Sequence, residues 1–249
     1  MSSIIGILCI ATVFLKYAIL NSLAYIVNKD WCRYVNKQIY LNVPRQLFAC
    51  LKLYSNFEFK FDCSLDKGLP ENFLIICNHQ SLFDIVAFFA CFPKKPLRFI
   101  SKKSLGGHVP LVSVMLKADG HCIIDRKGSP AQMMKTLDDF STRVFKNNWN
   151  VVLFPEGTRS KTGRLGRFHP AGFRRLTNNL HLPVVVFALD GGWRVSNVRK
   201  ILKNLRGGTY RIKALKVYPA PETKSDQVKI LDEAKAMIEE QLDAWRQRF

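Results

Sequence analysis

Phe73-Leu74-Ile75-Ile76-Cys77-Asn78-His79-Gln80-Ser81-Leu82-Phe83-Asp84 is the stretch whose reading decides the fold. Five apolar residues without alternation read as a buried strand, and the abrupt change to polar residues reads as the loop at its end. A helix then runs from Ser81 to Cys91, and Phe92-Pro93 ends it. The same grammar returns at Asn150-Val151-Val152-Leu153, followed by Phe154-Pro155-Glu156-Gly157-Thr158-Arg159-Ser160. Strand ends are where an α/β sheet places its chemistry. Working outward, Leu97–Ser101, Cys122–Ile124, Pro183–Leu189 and the alternating Tyr210–Val217 read as further strands. A helix is expected from Ala131 to Phe145, and a last one from an N-cap at Ser225, with Leu231, Ala234, Ile238 and Leu242 at helical spacing. The expectation is a mixed, largely parallel α/β sheet flanked by helices.

Upstream the character changes. From Ile4 to Val27 the only charge is Lys16, and the segment is long enough to cross a bilayer core of about 30 Å. Lys16 at mid-span disfavours a central crossing unless it snorkels or the segment lies in one leaflet. Between Lys29 and Lys37, aromatic and basic residues mix as in an interfacial belt, with Trp31 among them, and Gln46–Tyr54 reads as a short amphipathic helix. Phe57–Phe61 alternates apolar and charged residues, as a strand with one wet face would. Residues 1–56 are thus expected to be membrane-anchoring helices and residues 57–249 the α/β domain.

With 38 Lys and Arg against 19 Asp and Glu, the formal net charge is +19. The segment Arg159–Lys216 holds fourteen basic residues and the single acid Asp190, a face suited to a polyanion. The apolar N-terminus selects anionic membrane lipid over nucleic acid as that polyanion, and no aromatic residues interleave with the basic run as stacking platforms. Seven scattered cysteines form no CxxC pair, which predicts neither a metal site nor a disulfide framework and fits a reducing cytoplasmic setting. His108, His121, His169 and His181 lack partners at ligand spacing and read as loop or surface residues; Trp193 reads as an interfacial anchor, Trp149 and Trp245 as core.

The chemistry lies in the two polar motifs. His79 and Asp84 cannot meet within one helix, because five residues turn about 500°. They meet if His79 lies in the loop and Asp84 in the first helical turn. Asp84 then fixes the imidazole tautomer and stabilises the imidazolium formed when the other nitrogen removes a proton. The alternative is a structural histidine beside an acid favoured by the helix dipole. In the second motif Gly157 permits close backbone approach and Arg159 offers a planar fork for phosphate oxygens, with Glu156 orienting Arg159 or meeting substrate. The alternative there is a surface turn with a salt bridge.

These blocks, in this order, resemble the glycerolipid acyltransferase family, within it the lysophosphatidic acid acyltransferases. His79 and Asp84 match its His-x4-Asp block. Gly120-His121-Cys122-Ile123-Ile124-Asp125-Arg126 matches the second, Phe154–Ser160 the third, and Leu182-Pro183-Val184-Val185-Val186 the fourth, with Val186 where a second proline is common. The resemblance covers about Phe73 to Gly191. It implies one-step transfer of a fatty acyl group from an acyl-CoA or acyl carrier protein thioester to the sn-2 hydroxyl of lysophosphatidic acid, giving phosphatidic acid. His79 would be the base, oriented by Asp84. Glu156, Gly157 and Arg159 would hold the acceptor phosphate, helped by Arg126 and by Lys102 or Lys103. No metal, cofactor or acyl-enzyme is implied, and the catalytic domain is expected on the cytoplasmic side of a membrane. Acylation of another lysolipid, in phospholipid remodelling or on a lyso-ornithine lipid, stays open beside this reading, as does the more distant one of a basic nucleic-acid-binding protein. Oligomeric state is not readable from these residues.

Overall fold

The computed structural model describes residues 2–66, 68–108, 111–195, 204 and 206–247; part of the basic stretch, residues 196–203 and 205, lies outside them. Seven strands form one sheet: β1 (Glu58–Asp62), β2 (Leu74–Cys77), β3 (Leu97–Lys102), β4 (Cys122–Ile124), β5 (Asn150–Leu153), β6 (Val184–Asp190) and β7 (Thr209–Tyr218). Their spatial order is β1-β7-β6-β2-β5-β3-β4. From β6 to β4 every pairing is parallel, while β7 runs antiparallel to β6 and carries β1 parallel beside it. The sheet is therefore mixed and largely parallel, with helices on both faces.

The uninterrupted apolar runs have the physical cause expected of them. Along β2, Phe73, Ile75 and Cys77 enter one core, whereas Leu74 and Ile76 enter the other. Along β6, Val185, Phe187 and Leu189 face the first core, Val184, Val186 and Ala188 the second. A strand wet on neither side cannot alternate. The first core lies under α3 (Phe83–Cys91) and an N-terminal hairpin of α1 (Ser2–Val27) and α2 (Lys29–Ser55). The second lies under α6 (Pro130–Lys146), α7 (Pro170–Leu180) and the C-terminal α9 (Lys224–Arg246). The short helices α4 (Leu105–His108), α5 (Val112–Ala118) and α8 (Gly192–Val195) fill crossings.

Several boundaries differ from the sequence reading. The expected belt and short amphipathic helix are one helix, α2, which Pro44 does not interrupt. Cys32, Asn36, Ile39, Val43, Leu47, Leu51 and Ser55 recur three or four residues apart and are all buried, so tertiary packing of one stripe overrides the local breaker. Asn56 then stops the chain in the left-handed region at φ 47°. α9 is capped by Thr223, not Ser225: the Thr223 hydroxyl accepts from Asp226 N, and the Asp226 carboxylate accepts from Thr223 N. α7 was not expected at all, because arginines and asparagines separate its three buried apolar residues, Phe173, Leu176 and Leu180. Cys63 and Cys91 form a disulfide, with Cα atoms 5.8 Å apart. The pair joins the segment after β1 to the end of α3 across 28 residues, so no local spacing announced it.

α1 is long and apolar enough to cross a membrane, yet it does not stand away from the domain. Ile7 and Ile10 pack on the first core, and Tyr17 is buried with Ile39, Val43 and Leu111. Its other faces expose Leu8, Leu15, Ile19, Leu23, Ile26 and Val27 to the surroundings.

A buried polar network pins α2 to the sheet. The Tyr40 hydroxyl donates to Asp119, whose other oxygen accepts from Asn36 Nδ2 at 2.9 Å. His121 lies in the loop before β4, one of the two readings given it, but is buried there and not on the surface, and its Nδ1 accepts from the Phe99 backbone N–H at 2.9 Å. That bond places the ring proton on Nε2, which faces the Tyr40 oxygen at 3.4 Å. Burial, and secondarily the charge of Arg98, pull the His121 pKa down to about 3. The unfolded chain therefore takes up the proton first as pH falls. Stability from the neutral ring is complete above an ordinary histidine pKa of about 6.5 and is lost on descent toward about 3. His121→Gln, which keeps an acceptor, is expected to flatten the fall in melting temperature over that interval relative to wild type; parallel curves would remove His121 as the acid-sensitive group.

Candidate active site

β2, β5, β3 and β4 are parallel and end at the same edge of the sheet, with Lys102 closing β3 and His79, Arg159, Lys103 and Arg126 in the segments that follow the strands. His79 follows β2 by one residue. That residue, Asn78, explains how the chain leaves the sheet without leaving β6: its amide donates to Leu189 O at 2.8 Å and accepts from Leu189 N at 2.9 Å. A side chain thus continues the backbone ladder one step further.

His79 Nδ1 lies 2.7 Å from Asp84 Oδ2. The contact occurs as the spacing requires, with His79 in the loop and Asp84 in the first turn of α3. Asp84 is fully buried and makes more of its charge than one bond: the same oxygen accepts from Gln80 N at 2.6 Å and Ser81 N at 2.8 Å. Its Oδ1 accepts from the Tyr210 hydroxyl at 2.9 Å and from Ser81 Oγ at 3.3 Å. These donors compensate the cost of burying a carboxylate and fix its orientation. Since Nδ1–H donates to Asp84, Nε2 is the ring nitrogen that carries a lone pair. The imidazole stacks on Phe154, with centroids 4.0 Å apart, and keeps 15 % of its side chain exposed.

The two motifs are bonded to each other through the peptide groups of His79. Its N–H donates to Glu156 Oε1 at 2.7 Å, and its carbonyl accepts from Ser160 N at 2.8 Å. Glu156 Oε2 accepts from Gly166 N at 2.7 Å. Glu156 is buried and binds backbone on both oxygens, so it neither orients Arg159 nor faces outward to a phosphate; the sequence reading is corrected on that residue. Burial raises its pKa, and the His79 and Gly166 N–H groups oppose that rise. Gly157 has a φ of 65°, which favours glycine, and a Cβ there would meet only His169, at 3.8 Å, so the space beside its backbone is open. Arg159, beside Ser160, is exposed.

The remaining predicted cations lie further along the edge. Strand spacing puts β3 about 10 Å and β4 about 14 Å from β2. Lys103 is bound to Asp125 at 2.9 Å, both on the surface, and Lys102 leaves β3 on the face of Ile100, in the second core. Arg126 follows β4 and is exposed. The structure thus bonds His79 to Asp84 and to the Glu156–Ser160 loop that carries Gly157 and Arg159, while Lys102, Lys103 and Arg126 lie at the ends of β3 and β4 further along the same edge. Among the described residues no group of three His, Cys, Asp or Glu side chains is placed to hold a metal ion.

Sequence reasoning gave no role to Tyr210, Asn78 or Gln80. Gln80 Nε2 donates to Asp190, which is ion-paired with Arg246 of α9 at 2.8 Å, and Gln80 Oε1 accepts from Trp193 N. Gly192 makes this closeness feasible, since a Cβ there would lie 2.7 Å from Ser81 Oγ and 2.9 Å from Asp84 Oδ1. No local pattern marks these residues, because their partners are 110 or more positions away.

With this geometry in hand, comparison with known proteins is decisive about kinship. The family model described as Acyltransferase matches residues 60–190, more than half of the chain. The chain belongs to the Acyltransferase family. Among its relatives, the 1-acyl-sn-glycerol-3-phosphate acyltransferase of Cocos nucifera is 36% identical over 129 residues, 51% of this chain and 41% of that protein. The beta enzyme of that name from Homo sapiens is 27% identical over 146 residues, 59% of this chain and 50% of that one. The Helicobacter pylori enzyme is 29% identical over 138 residues, 55% of each. The chain thus spans about half the length of the curated relatives it matches. In fold it is similar to the crystal structure of the 1-acyl-sn-glycerophosphate (LPA) acyltransferase from Thermotoga maritima, at TM-score 0.70 and 16% identity over 100% of this chain and 99% of that one.

Asp84→Asn puts an amide N–H₂ among N–H donors or costs the His79 contact. It is expected to destabilise the family member by about 2–4 kcal/mol, seen as a lower denaturation midpoint in the absence of any substrate. An unchanged midpoint would show that the carboxylate is not the fixed point of this loop.

Proposed function

We propose that this family member transfers a fatty acyl group from a thioester to the sn-2 hydroxyl of lysophosphatidic acid, giving phosphatidic acid. The observation that carries the reading is the His79–Asp84 dyad, held at the sheet edge with Nε2 available and the Arg159 loop hydrogen-bonded to the backbone of His79. His79 Nε2 takes the proton of the acceptor hydroxyl as its oxygen attacks the thioester carbonyl carbon. The C–S bond then breaks, and the leaving thiolate takes the proton back from the imidazolium. Asp84 holds the tautomer and balances the transient positive charge. Arg159 binds the acceptor phosphate, and its place next to Ser160 fixes that phosphate relative to His79. The relatives' names support the acceptor, and acyl-CoA or acyl carrier protein would serve as donor.

The hairpin supports a membrane role. α3, which bears Asp84, also forms one wall of an apolar cavity shared with Phe14 of α1, Val43 of α2 and Met115 of α5, a lining that suits an acyl chain. Because α1 packs along the domain while exposing its other faces, it would lie in one leaflet with the catalytic domain against it.

His79→Ala is expected to abolish phosphatidic acid formation by the membrane fraction without releasing the protein from it; retained turnover would remove His79 as the base. Arg159→Ala should raise the acceptor KM at least tenfold, and an unchanged acceptor dependence would detach it from the phosphate. Replacing Leu15 and Ile19 by Lys should shift the protein to the soluble fraction on washing at neutral pH; continued retention would place membrane contact elsewhere.

A further inference from the structure

Among the described residues, every hydrogen-bond donor to Asp84 but one belongs to residues 79–81. The exception is the Tyr210 hydroxyl of β7, 2.9 Å from Oδ1. It comes from beyond the segment that the family model matches, which ends at residue 190. The strand directs it there, since Tyr210, Ile212 and Ala214 alternate into the first core, where α3 lies. The ring is 1 % exposed and is packed beside Phe59.

Two glycines let β7 begin this close to the catalytic loop. At Gly191 φ is 99°, and a Cβ would lie 2.0 Å from Thr209 O; at Gly192 a Cβ would lie 2.9 Å from Asp84 Oδ1. Oδ1 is thus walled by backbone as well as buried. Its other donor, Ser81 Oγ at 3.3 Å, makes the longer contact.

A carboxylate that accepts a hydrogen bond on one oxygen has less charge to offer through the other. Oδ2 is the oxygen that meets His79 Nδ1, so the phenol moderates the hold of Asp84 on an imidazolium it does not itself touch. Burial, and next the charge of Asp84, push the Tyr210 hydroxyl well above the usual phenol range. It therefore remains a donor wherever an imidazole titrates. The other titratable groups around the pair are already committed. Burial drives the Cys77 thiol well up, so it stays neutral. Glu156 is bound to His79 N and Gly166 N, and Asp190 is paired with Arg246. His169 lies beyond Gly157, and Arg159 is exposed. Among the described residues none of these hydrogen-bonds to Asp84.

We propose that Tyr210 is a positioning residue for the reaction: it orients Asp84 and sets how strongly Asp84 holds the His79 imidazolium. The kinetic part of this inference rests on the acyl-transfer reading, whereas the coupling of Tyr210 to His79 can be read without substrate.

The experiment uses the full chain in detergent, wild type against Tyr210→Phe, which removes the hydroxyl and keeps the ring, with circular dichroism melts to check folding. kcat/KM for phosphatidic acid formation is followed against pH. The plateau is expected to fall at least about fivefold, with the acceptor KM within about twofold of wild type. The acid limb is expected to move up by at least about 0.5 pH unit, because a carboxylate relieved of the phenol holds the imidazolium more tightly. A tyrosine that only packs would lower the melting temperature and leave the limb in place, and an unmoved limb in the folded variant would overturn the proposal. In place of Tyr210, 3-fluorotyrosine carries a more acidic hydroxyl, donates more strongly and should move the limb the opposite way. That variant decides the matter if Tyr210→Phe does not fold; no shift, or one in the direction expected for Phe, would again overturn it. The imidazole is read directly by ¹⁵N-labelling the five histidines, with the His79 signals assigned by their loss in His79→Gln. The midpoint of their titration is expected to move with the acid limb. If wild type formed no phosphatidic acid but this midpoint followed the phenol, the acyl-transfer reading would fail and the coupling would stand. If transfer proceeded and neither limb nor midpoint moved, the coupling would fail and the reading would stand.

Discussion

A buried carboxylate must be surrounded by donors or lose its charge, and the catalytic edge is organised by how Asp84 meets that demand. It collects two backbone N–H groups from its own loop, a tyrosine hydroxyl from β7 and the imidazole of His79. Each donor is a positional constraint. Gln80 and Ser81 must curl toward α3, β7 must lie two strands from β2, and the ring must present Nδ1. A group that would be prohibitively expensive to bury alone thereby fixes the loop, the sheet order and the tautomer together.

Glu156 plays the complementary part from the neighbouring loop. With one oxygen on His79 N and the other on Gly166 N, it couples the two polar motifs and the turn beyond them. The acidic residue in an arginine-bearing motif is thus a brace. Arg159 is left exposed beside it. This division of labour inside four residues is invisible in their composition, because Glu and Arg four positions or fewer apart look like an ion pair.

That contrast explains what was legible in the sequence. Buried strands such as β2, β5 and β6 announce themselves through unbroken apolar runs, because two cores press on them. His79 and Asp84 are legible because their spacing needs a specific loop-to-helix geometry. Tyr210, Asn78 and Gln80 are not, since each acts through a partner more than a hundred residues away. α7 hides behind its arginines and asparagines, and α2 behind an internal proline, because tertiary burial of a single stripe outweighs local preference. His121 looked peripheral for the same reason: only the folded sheet brings Phe99 N and Tyr40 around it.

The bond from Tyr210 to Asp84 has a consequence for the order in which the molecule comes into being. Asp84 is made early and Tyr210 some 126 residues later, and β7 can pair only once β6 is in place. A chain still emerging from the ribosome therefore holds its histidine and aspartate long before it can hold them in register. Non-local sheet closure is slow compared with helix formation. Throughout that interval the apolar hairpin at the front of the chain is already complete and able to find a bilayer. The histidine–aspartate pair is thus completed last, after every other strand of the sheet it depends on has been made.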